Sequence, residues 1–189
     1  MINKSGDYTK LKKWQLLKTS EEYKTKFFNI EKRSYKLPNG KVVDDYYHIN
    51  RPNYVLVVAV NSKGEILIER NYRRGVDDFV SEIPAGWIDE NESPLDAGIR
   101  ELSEETGYRG EAVLLGEIYA QPGYMNQKAY VIYVKVDETQ KPEIKREEDE
   151  DIEIEFINPK ILDEMISKNE FKDMGALSAI AMYDKINIQ

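Results

Sequence analysis

The segment from Gly86 to Tyr108 reads GWIDENESPLDAGIRELSEETGY and is unusually rich in acidic residues. It contains seven carboxylates and one arginine, and three of the acids, Glu101, Glu104 and Glu105, fall within five positions. Like charges at this spacing repel one another, so the cluster does not stabilise the chain by itself. It therefore indicates a function that needs concentrated negative charge.

The same stretch predicts an α-helix over residues 94–106. Ser93 is suited to cap its N-terminus, Pro94 to occupy the first helical position, and Gly107 to end it. With about 100° of rotation per residue, one side of the helix is predicted to face the core. That side comprises Leu95, Ile99, Leu102 and Thr106.

The other flank of this helix carries the acidic cluster, and Arg100 can reach Glu104 one turn on or fold back toward Glu92. A solvated acidic face is one interpretation. However, clustered acids beside small residues, after Pro84-Ala85-Gly86, suit a hard divalent cation, because Mg²⁺ prefers carboxylate and carbonyl oxygens. We therefore interpret the flank as a metal site. The flank comprises the small residues Ala97 and Gly98 and the acids Glu101, Glu104 and Glu105.

Length and composition limit the remaining possibilities. The 189 residues suit one domain, or one domain with a modest appendage. The absence of cysteine excludes disulfides and thiolate metal sites, and favours a reducing, cytoplasmic location. The N-terminus lacks a signal-peptide pattern, and the longest apolar run, Tyr54–Val60, is too short to cross a bilayer. The net charge of −8 argues against a nucleic-acid partner, and no membrane partner is expected.

The histidine content narrows the chemistry further. His48 is the sole histidine, so a Ser-His-Asp triad or a multi-histidine zinc site would rest on it alone. Its neighbours Tyr46, Tyr47 and Ile49 predict a half-buried strand position instead. Hydrolytic chemistry in this chain is therefore expected to depend on carboxylates.

Residues 1–50 are predicted to form a separate piece, a small antiparallel β-sheet with a hairpin at Asn39-Gly40. Its apolar content is too low for independent stability, so it is expected to pack on the main domain or on a second subunit. Residues 51–189 are predicted to form the main domain. Within it, strands are expected at 54–60, 65–72, 112–119, 128–136 and 152–157, a loop at 73–86, and helices at 159–168 and from Asp173 onward. This pattern predicts an α+β fold or an α/β/α sandwich around a mixed sheet.

The spacing of residues 86–108 resembles the Nudix box, the 23-residue signature of the Nudix hydrolases. The fixed positions match at Gly86, Glu92, Arg100-Glu101-Leu102, Glu104-Glu105 and Gly107. The departure is Tyr108, where the general pattern has an aliphatic residue. The resemblance implies hydrolysis of a nucleoside diphosphate linked to another moiety, with Mg²⁺ or Mn²⁺ as cofactor.

The resemblance also implies roles for individual residues. Glu101 and Glu105 would be direct metal ligands, and Glu104 a ligand or the group that activates water. The carbonyl of Ala85 would be a further ligand, and Arg100 would orient the carboxylates.

Outside the box, the chain resembles the ADP-ribose pyrophosphatase branch and its nucleotide-sugar relatives. The segments that carry this are SEIPAG (81–86), ERNYRRG (69–75) and QPGYMNQKAYVIYV (121–134). Pro122 lies 14 residues beyond the box, one or two residues fewer than is usual in this branch. The resemblance therefore does not identify the sugar of the substrate. The branch implies that Arg51, Arg73 and Glu82 contact the substrate, with Arg74 a less favoured phosphate ligand.

Further expectations follow from the same branch. Residues 1–50 resemble the sheet domain that these enzymes exchange across a homodimer. Trp14 could stack on a base or pack within that domain. Glu150 is expected to position or deprotonate the attacking water, with Glu148 as the second candidate. If neither has this role, Glu104 is the first candidate within the box.

The leading substrate is ADP-ribose, cleaved to AMP and ribose 5-phosphate. The alternatives are GDP-mannose or another nucleotide sugar, a nucleoside triphosphate, and a catalytically silent regulator.

Overall fold

The computed structural model describes residues 11–139 and 152–186, which form two compact units. The first unit comprises the described residues up to Pro52 together with Gln121–Gln127. The second comprises Asn53–Ala120 and the described residues from Lys128 onward.

The first unit is an antiparallel β-sheet of strand order β1-β2-β3. Its strands are β1 (Gln15–Lys24), β2 (Asn29–Lys36) and β3 (Val42–Asn50). The predicted hairpin joins β2 to β3, and Gly40 has a φ of 86°, a value that favours glycine at this turn. The predicted small antiparallel sheet is therefore confirmed.

The second unit is built on a mixed sheet with helices on both faces. Its strands are β4 (Tyr54–Val60), β5 (Ile66–Arg73), β6 (Asp78–Glu82), β7 (Ala85–Trp87), β8 (Gly110–Tyr119), β9 (Lys128–Val136) and β10 (Ile152–Ile157). Its helices are α1 (Pro94–Thr106), α2 (Pro159–Ser167) and α3 (Met174–Lys185).

The central part of the sheet has the order β10-β5-β4-β9-β8. Strands β4 and β9 run parallel, from Tyr54 opposite Ala129 to Val60 opposite Lys135. The other pairings are antiparallel, and β6 and β7 attach to β5 and β4 respectively. The mixed sheet that the sequence predicted is thus confirmed.

Strand β4 explains why the longest apolar run lies where it does. Val55, Val57 and Ala59 face a core cluster that includes Leu102 of α1. The alternate residues of β4 face a second cluster with α2 and α3. A strand covered on both faces must be apolar throughout, and this one therefore carries no hydrophobic alternation.

The interpretation of residues 73–86 as a loop is wrong. The segment contains β6, which pairs with β5 from Glu69 opposite Glu82 to Arg73 opposite Asp78. It also contains the start of β7, which pairs with β4 and brings Ala85 opposite Leu56. These strands are short and gain their hydrogen bonds from partners, so local composition gave little sign of them. No helix among the described residues has the length and apolar character needed to cross a membrane.

Candidate active site

Helix α1 occupies the predicted residues 94–106 because its ends are set by local contacts. The Ser93 hydroxyl accepts a hydrogen bond from the backbone N–H of Asp96 at 3.2 Å. At the other end, Gly107 adopts a φ of 75° and its N–H donates to the carbonyl of Ser103 at 2.9 Å. These caps define the helix on which the acidic cluster lies.

The predicted core side of α1 is partly wrong. Leu95 is exposed, whereas Ala97 and Gly98 are buried. A Cβ atom added at Gly98 would lie 2.9 Å from Cγ1 of Ile132 in β9. Small side chains are needed here because the helix lies close to the sheet. Ala97 and Gly98 therefore belong to the core face, and Leu102 is buried as predicted.

Arg100 is the centre of the acidic cluster. Its Nε and Nη2 atoms donate to the two carboxylate oxygens of Glu92, both at 2.9 Å. Its Nη1 atom donates to Glu101 at 2.8 Å and to Glu104 at 3.0 Å, and Nη2 also donates to the carbonyl of Trp87 at 2.8 Å. The sequence left Glu104 and Glu92 as alternative partners, and Arg100 binds both.

These hydrogen bonds stabilise the ionised forms of Glu92 and Arg100. The hydrogen bonds from Arg100 hold the pKa of Glu92 below its usual range, and the bond to Glu92 raises the pKa of Arg100. A single guanidinium thus faces three carboxylates, of Glu92, Glu101 and Glu104. The cluster retains net negative charge while its side chains are held in place.

Gly86 provides the space for Glu101. A Cβ atom at Gly86 would lie 2.0 Å from Cδ and from Oε1 of Glu101. The Glu101 carboxylate therefore lies directly against the backbone of β7. A glycine at this position allows the first strand of the box and its helix to approach this closely.

Glu105 is the buried member of the cluster, with 6% of its surface exposed. Its Oε2 atom accepts a hydrogen bond from the backbone N–H of Ala85 at 3.3 Å. Residues Ala85 and Gly86 of β7 thus contact both Glu105 and Glu101. The structure brings the predicted metal-binding residues Ala85, Glu101 and Glu105 together, and Glu104 joins them through Arg100.

These residues fit a divalent cation in their chemistry. Within residues 11–139 and 152–186, no three acidic or histidine side chains form a ready-made cation cage. Mg²⁺ does not require one, because it commonly binds one or two carboxylates and keeps several waters. The carboxylates of Glu101 and Glu105 provide suitable oxygen donors. The net negative charge of the cluster also favours a cation.

Arg73 and Glu82 form a second charged pair at this site. Arg73 binds Glu82 through Nε at 3.1 Å and through Nη2 at 2.7 Å, to different carboxylate oxygens. Burial raises the pKa of Glu82, the bond from Arg73 opposes this, and nearby Asp173 adds to the rise. Two of the three predicted substrate-binding residues, Arg73 and Glu82, therefore bind each other.

A cleft of about 720 Å³ adjoins the acidic cluster within the second unit. Ala85 and Gly86, which contact the α1 glutamates, also line the cleft. Its lining also includes Tyr54, Arg73, Asp78, Glu82, Trp87, Glu170, Lys172, Asp173 and Met174. The cleft and the acidic cluster therefore share the backbone of β7.

Sequence reasoning did not find the α2–α3 side of this cleft. Glu170, Lys172, Asp173 and Met174 are distant in sequence from the box and follow no motif. The proximity of Asp173 to Glu82 depends on the packing of α3. Trp87 lies within the box, but at a position that the matched pattern leaves unspecified.

The remaining predicted residues are not among the contacts described so far. Arg51 belongs to the first unit, where its backbone N–H donates to the side chain of Asn126 at 3.2 Å. Trp14 is half exposed and packs edge-on against Tyr35, with ring centroids 6.1 Å apart. Glu148 and Glu150 lie outside the described residues.

Comparison with known proteins agrees with this geometry. The NUDIX domain family profile matches residues 50–174. The ADP-ribose pyrophosphatase of Bacillus subtilis is 31% identical over 148 residues, covering 77% of this chain and 78% of that protein. The ADP-ribose pyrophosphatase of Saccharomyces cerevisiae is 32% identical over 162 residues, covering 77% and 70%.

A solved structure described as an ADP compounds hydrolase superposes with a TM-score of 0.80 at 20% identity, over 93% of this chain and 94% of that one. At this identity the match establishes the fold, and it confirms the predicted Nudix-type sandwich with an N-terminal sheet. The chain belongs to the Nudix hydrolase family. The predicted resemblance and the assignment as a Nudix enzyme are thereby confirmed.

Proposed function

We propose that this protein hydrolyses the diphosphate linkage of a nucleoside diphosphate sugar, with ADP-ribose as the leading substrate and AMP and ribose 5-phosphate as products. The observation that carries the proposal is the contact of Glu101 and Glu105 with Gly86 and Ala85 at the wall of the cleft. The two relatives named as ADP-ribose pyrophosphatases support the choice of substrate.

The proposed cofactor is Mg²⁺, with Mn²⁺ as a substitute. Glu101 and Glu105 would bind it, assisted by Glu104 and the carbonyl of Ala85. A bound divalent cation lowers the pKa of water and neutralises phosphate charge. Arg100 positions Glu101 and Glu104 for this role through its hydrogen bonds at 2.8 and 3.0 Å.

The proton acceptor is proposed to lie outside the metal-binding glutamates. A carboxylate that holds a cation accepts a proton poorly, so a separate base is favoured. Glu150 is the first candidate and Glu148 the second. Glu104 is the alternative within the box, because its side chain is 43% exposed and accessible to solvent.

Substrate binding is proposed to use Arg73, Glu82 and Arg51. Arg73 has a planar guanidinium suited to paired phosphate oxygens, and its side chain is 48% exposed although it binds Glu82. Glu82 orients this guanidinium from a buried position. Arg51 is included because the resemblance to the ADP-ribose pyrophosphatase branch implies it.

A substrate panel tests the proposal. Purified protein with Mg²⁺ is incubated with ADP-ribose, GDP-mannose, other nucleotide sugars and nucleoside triphosphates, and the products are separated by chromatography. The proposal expects the highest kcat/KM with ADP-ribose. Preference for GDP-mannose would support the alternative substrate class. Tight binding without turnover of any compound would support a regulator.

We also propose that the protein is a homodimer whose residues 1–50 contribute to the partner's site, with residues 51–189 as the hydrolase domain. The N-terminal sheet exposes large apolar side chains, as expected of a surface that another chain covers. They include Trp14, Leu16, Leu17, Tyr23, Val42 and Tyr47. Light scattering that shows a fully active monomer at assay concentration would contradict this. The cytoplasmic location expected from the sequence stays a prediction.

A further inference from the structure

The segment between α2 and α3 supplies one side of the cleft. Glu170, Lys172, Asp173 and Met174 all line the cleft, together with Arg73 and residues of β6 and β7. This segment is remote in sequence from the Nudix box. It can therefore contact a ligand in the cleft without taking part in the acidic cluster.

Lys172 has a fixed backbone position within this segment. Phe171, the residue before it, is 2% exposed and lies in the core cluster. Asp173, the residue after it, caps α3, because its Oδ1 atom accepts a hydrogen bond from the N–H of Ala176 at 2.6 Å. Lys172 lies between these two anchors with an exposed side chain. The backbone of Lys172 is therefore fixed at the cleft that this residue lines.

The charges that line the cleft make Lys172 distinctive. Four carboxylates and two cations line it, so by itself the lining repels an anion. Arg73 is bound to Glu82 through two nitrogen atoms. Among the described residues, no carboxylate oxygen lies within 4.0 Å of the Lys172 ammonium group. Lys172 thus has no carboxylate partner among the described residues, whereas Arg73, the other cation of the lining, already shares its guanidinium with Glu82.

We propose that Lys172 binds a phosphate oxygen of the nucleotide-sugar substrate and so determines how tightly the substrate is held. The inference rests on the proposed function. A diphosphate must enter a cleft lined by more carboxylates than cations, and a cation bound near Ala85 would offset this charge only at the β7 side. Lys172 provides compensating charge from the α2–α3 side, as a point charge without bidentate geometry.

The test compares Lys172→Met with Lys172→Arg and with the control Lys168→Met. Lys168 is an exposed lysine near the end of α2 that pairs with Glu164 at 3.5 Å and does not line the cleft. Binding of the α,β-methylene analogue of ADP-ribose, which cannot be cleaved at the central linkage, is measured by calorimetry at two NaCl concentrations. KM and kcat for ADP-ribose are measured in parallel, and circular dichroism confirms folding.

For Lys172→Met, both the Kd of the analogue and the KM are expected to rise about tenfold or more, the loss typical of one charge-assisted contact. The kcat should change little, and the salt dependence of Kd should weaken. Lys172→Arg should bind within a few fold of the wild type, and Lys168→Met should match it. If Lys172→Met binds like Lys168→Met, or if it lowers kcat alone, the inference is wrong while the proposed function stands. If the wild type binds no analogue and cleaves no ADP-ribose, the proposed function fails and the inference fails with it.

Discussion

Gly86→Ala is the substitution whose effect follows most directly from the geometry of the site. The new methyl group would begin 2.0 Å from the Glu101 carboxylate, whereas an ordinary contact needs at least 3.4 Å. The carboxylate must therefore move by about 1.4 Å, the difference between these distances. It is the far end of a flexible side chain, so it can move without unfolding the strand. Misplacement of a reacting or binding group by about 1 Å can reduce the rate about 100-fold.

The expected result is a decrease of about 100-fold in kcat/KM for ADP-ribose, with a weaker response to Mg²⁺. The thermal unfolding midpoint should change little. Gly98→Ala is the matched control, because its methyl group would meet Ile132 in the core at 2.9 Å instead of a carboxylate. That variant should lose about 1–3 kcal/mol of stability through overpacking, while the folded fraction keeps its activity.

Steady-state kinetics and thermal unfolding of the two variants, with calorimetric titration of Mg²⁺, separate these effects. The reasoning predicts that Gly86→Ala loses activity and that Gly98→Ala loses stability. If Gly86→Ala retained kcat/KM within about threefold of the wild type, the Glu101 carboxylate would not need its position against β7, and the site geometry argued above would be refuted.

Three other predictions concern single side chains. Glu105→Gln keeps the volume of the buried side chain but removes its charge, so kcat should fall about 100-fold or more with the fold retained; near-normal turnover at limiting Mg²⁺ would contradict this. Glu150→Gln should lower kcat by about 10²–10⁴-fold while the Mg²⁺ dependence stays nearly unchanged. If Glu148→Gln lowers kcat instead, the base is Glu148. If neither variant lowers kcat, Glu104 is the next candidate. Burial, with a contribution from Arg33, lowers the pKa of His48 below 6.5, so the unfolded chain binds this proton more readily than the folded chain. Stability should therefore decline as pH falls below about 6.5, and His48→Gln should weaken this decline; chemical denaturation across pH 5–8 measures it.

The sequence predicted those features whose causes are local. The limits of α1 follow from Ser93, Pro94 and Gly107, which act on adjacent backbone groups. The acidic residues that the sequence predicted to bind a metal lie near one another because Glu101 and Glu105 are one turn apart on the same helix. The partners of Arg100 were also within reach along the chain.

The features that the sequence did not predict depend on contacts between distant segments. Leu95 was expected in the core, but the sheet approaches α1 at Gly98, where the helix has no side chain. Strands β6 and β7 are stabilised by pairing with β5 and β4, and their own composition does not favour a strand strongly. Lys172 lines the cleft because the residue before it, Phe171, is buried in the core. The local sequence around Lys172 gives no sign of this packing.

Metal-dependent cleavage can be followed directly by ³¹P NMR of ADP-ribose incubated with the purified protein, with Mg²⁺ and with excess EDTA. With Mg²⁺, we expect the diphosphate resonances to be replaced by those of AMP and ribose 5-phosphate, and with EDTA we expect them to persist. Persistence of the diphosphate signals in the presence of Mg²⁺, or equal cleavage with EDTA, would contradict a metal-dependent nucleotide-sugar hydrolase built on Glu101, Glu105 and β7.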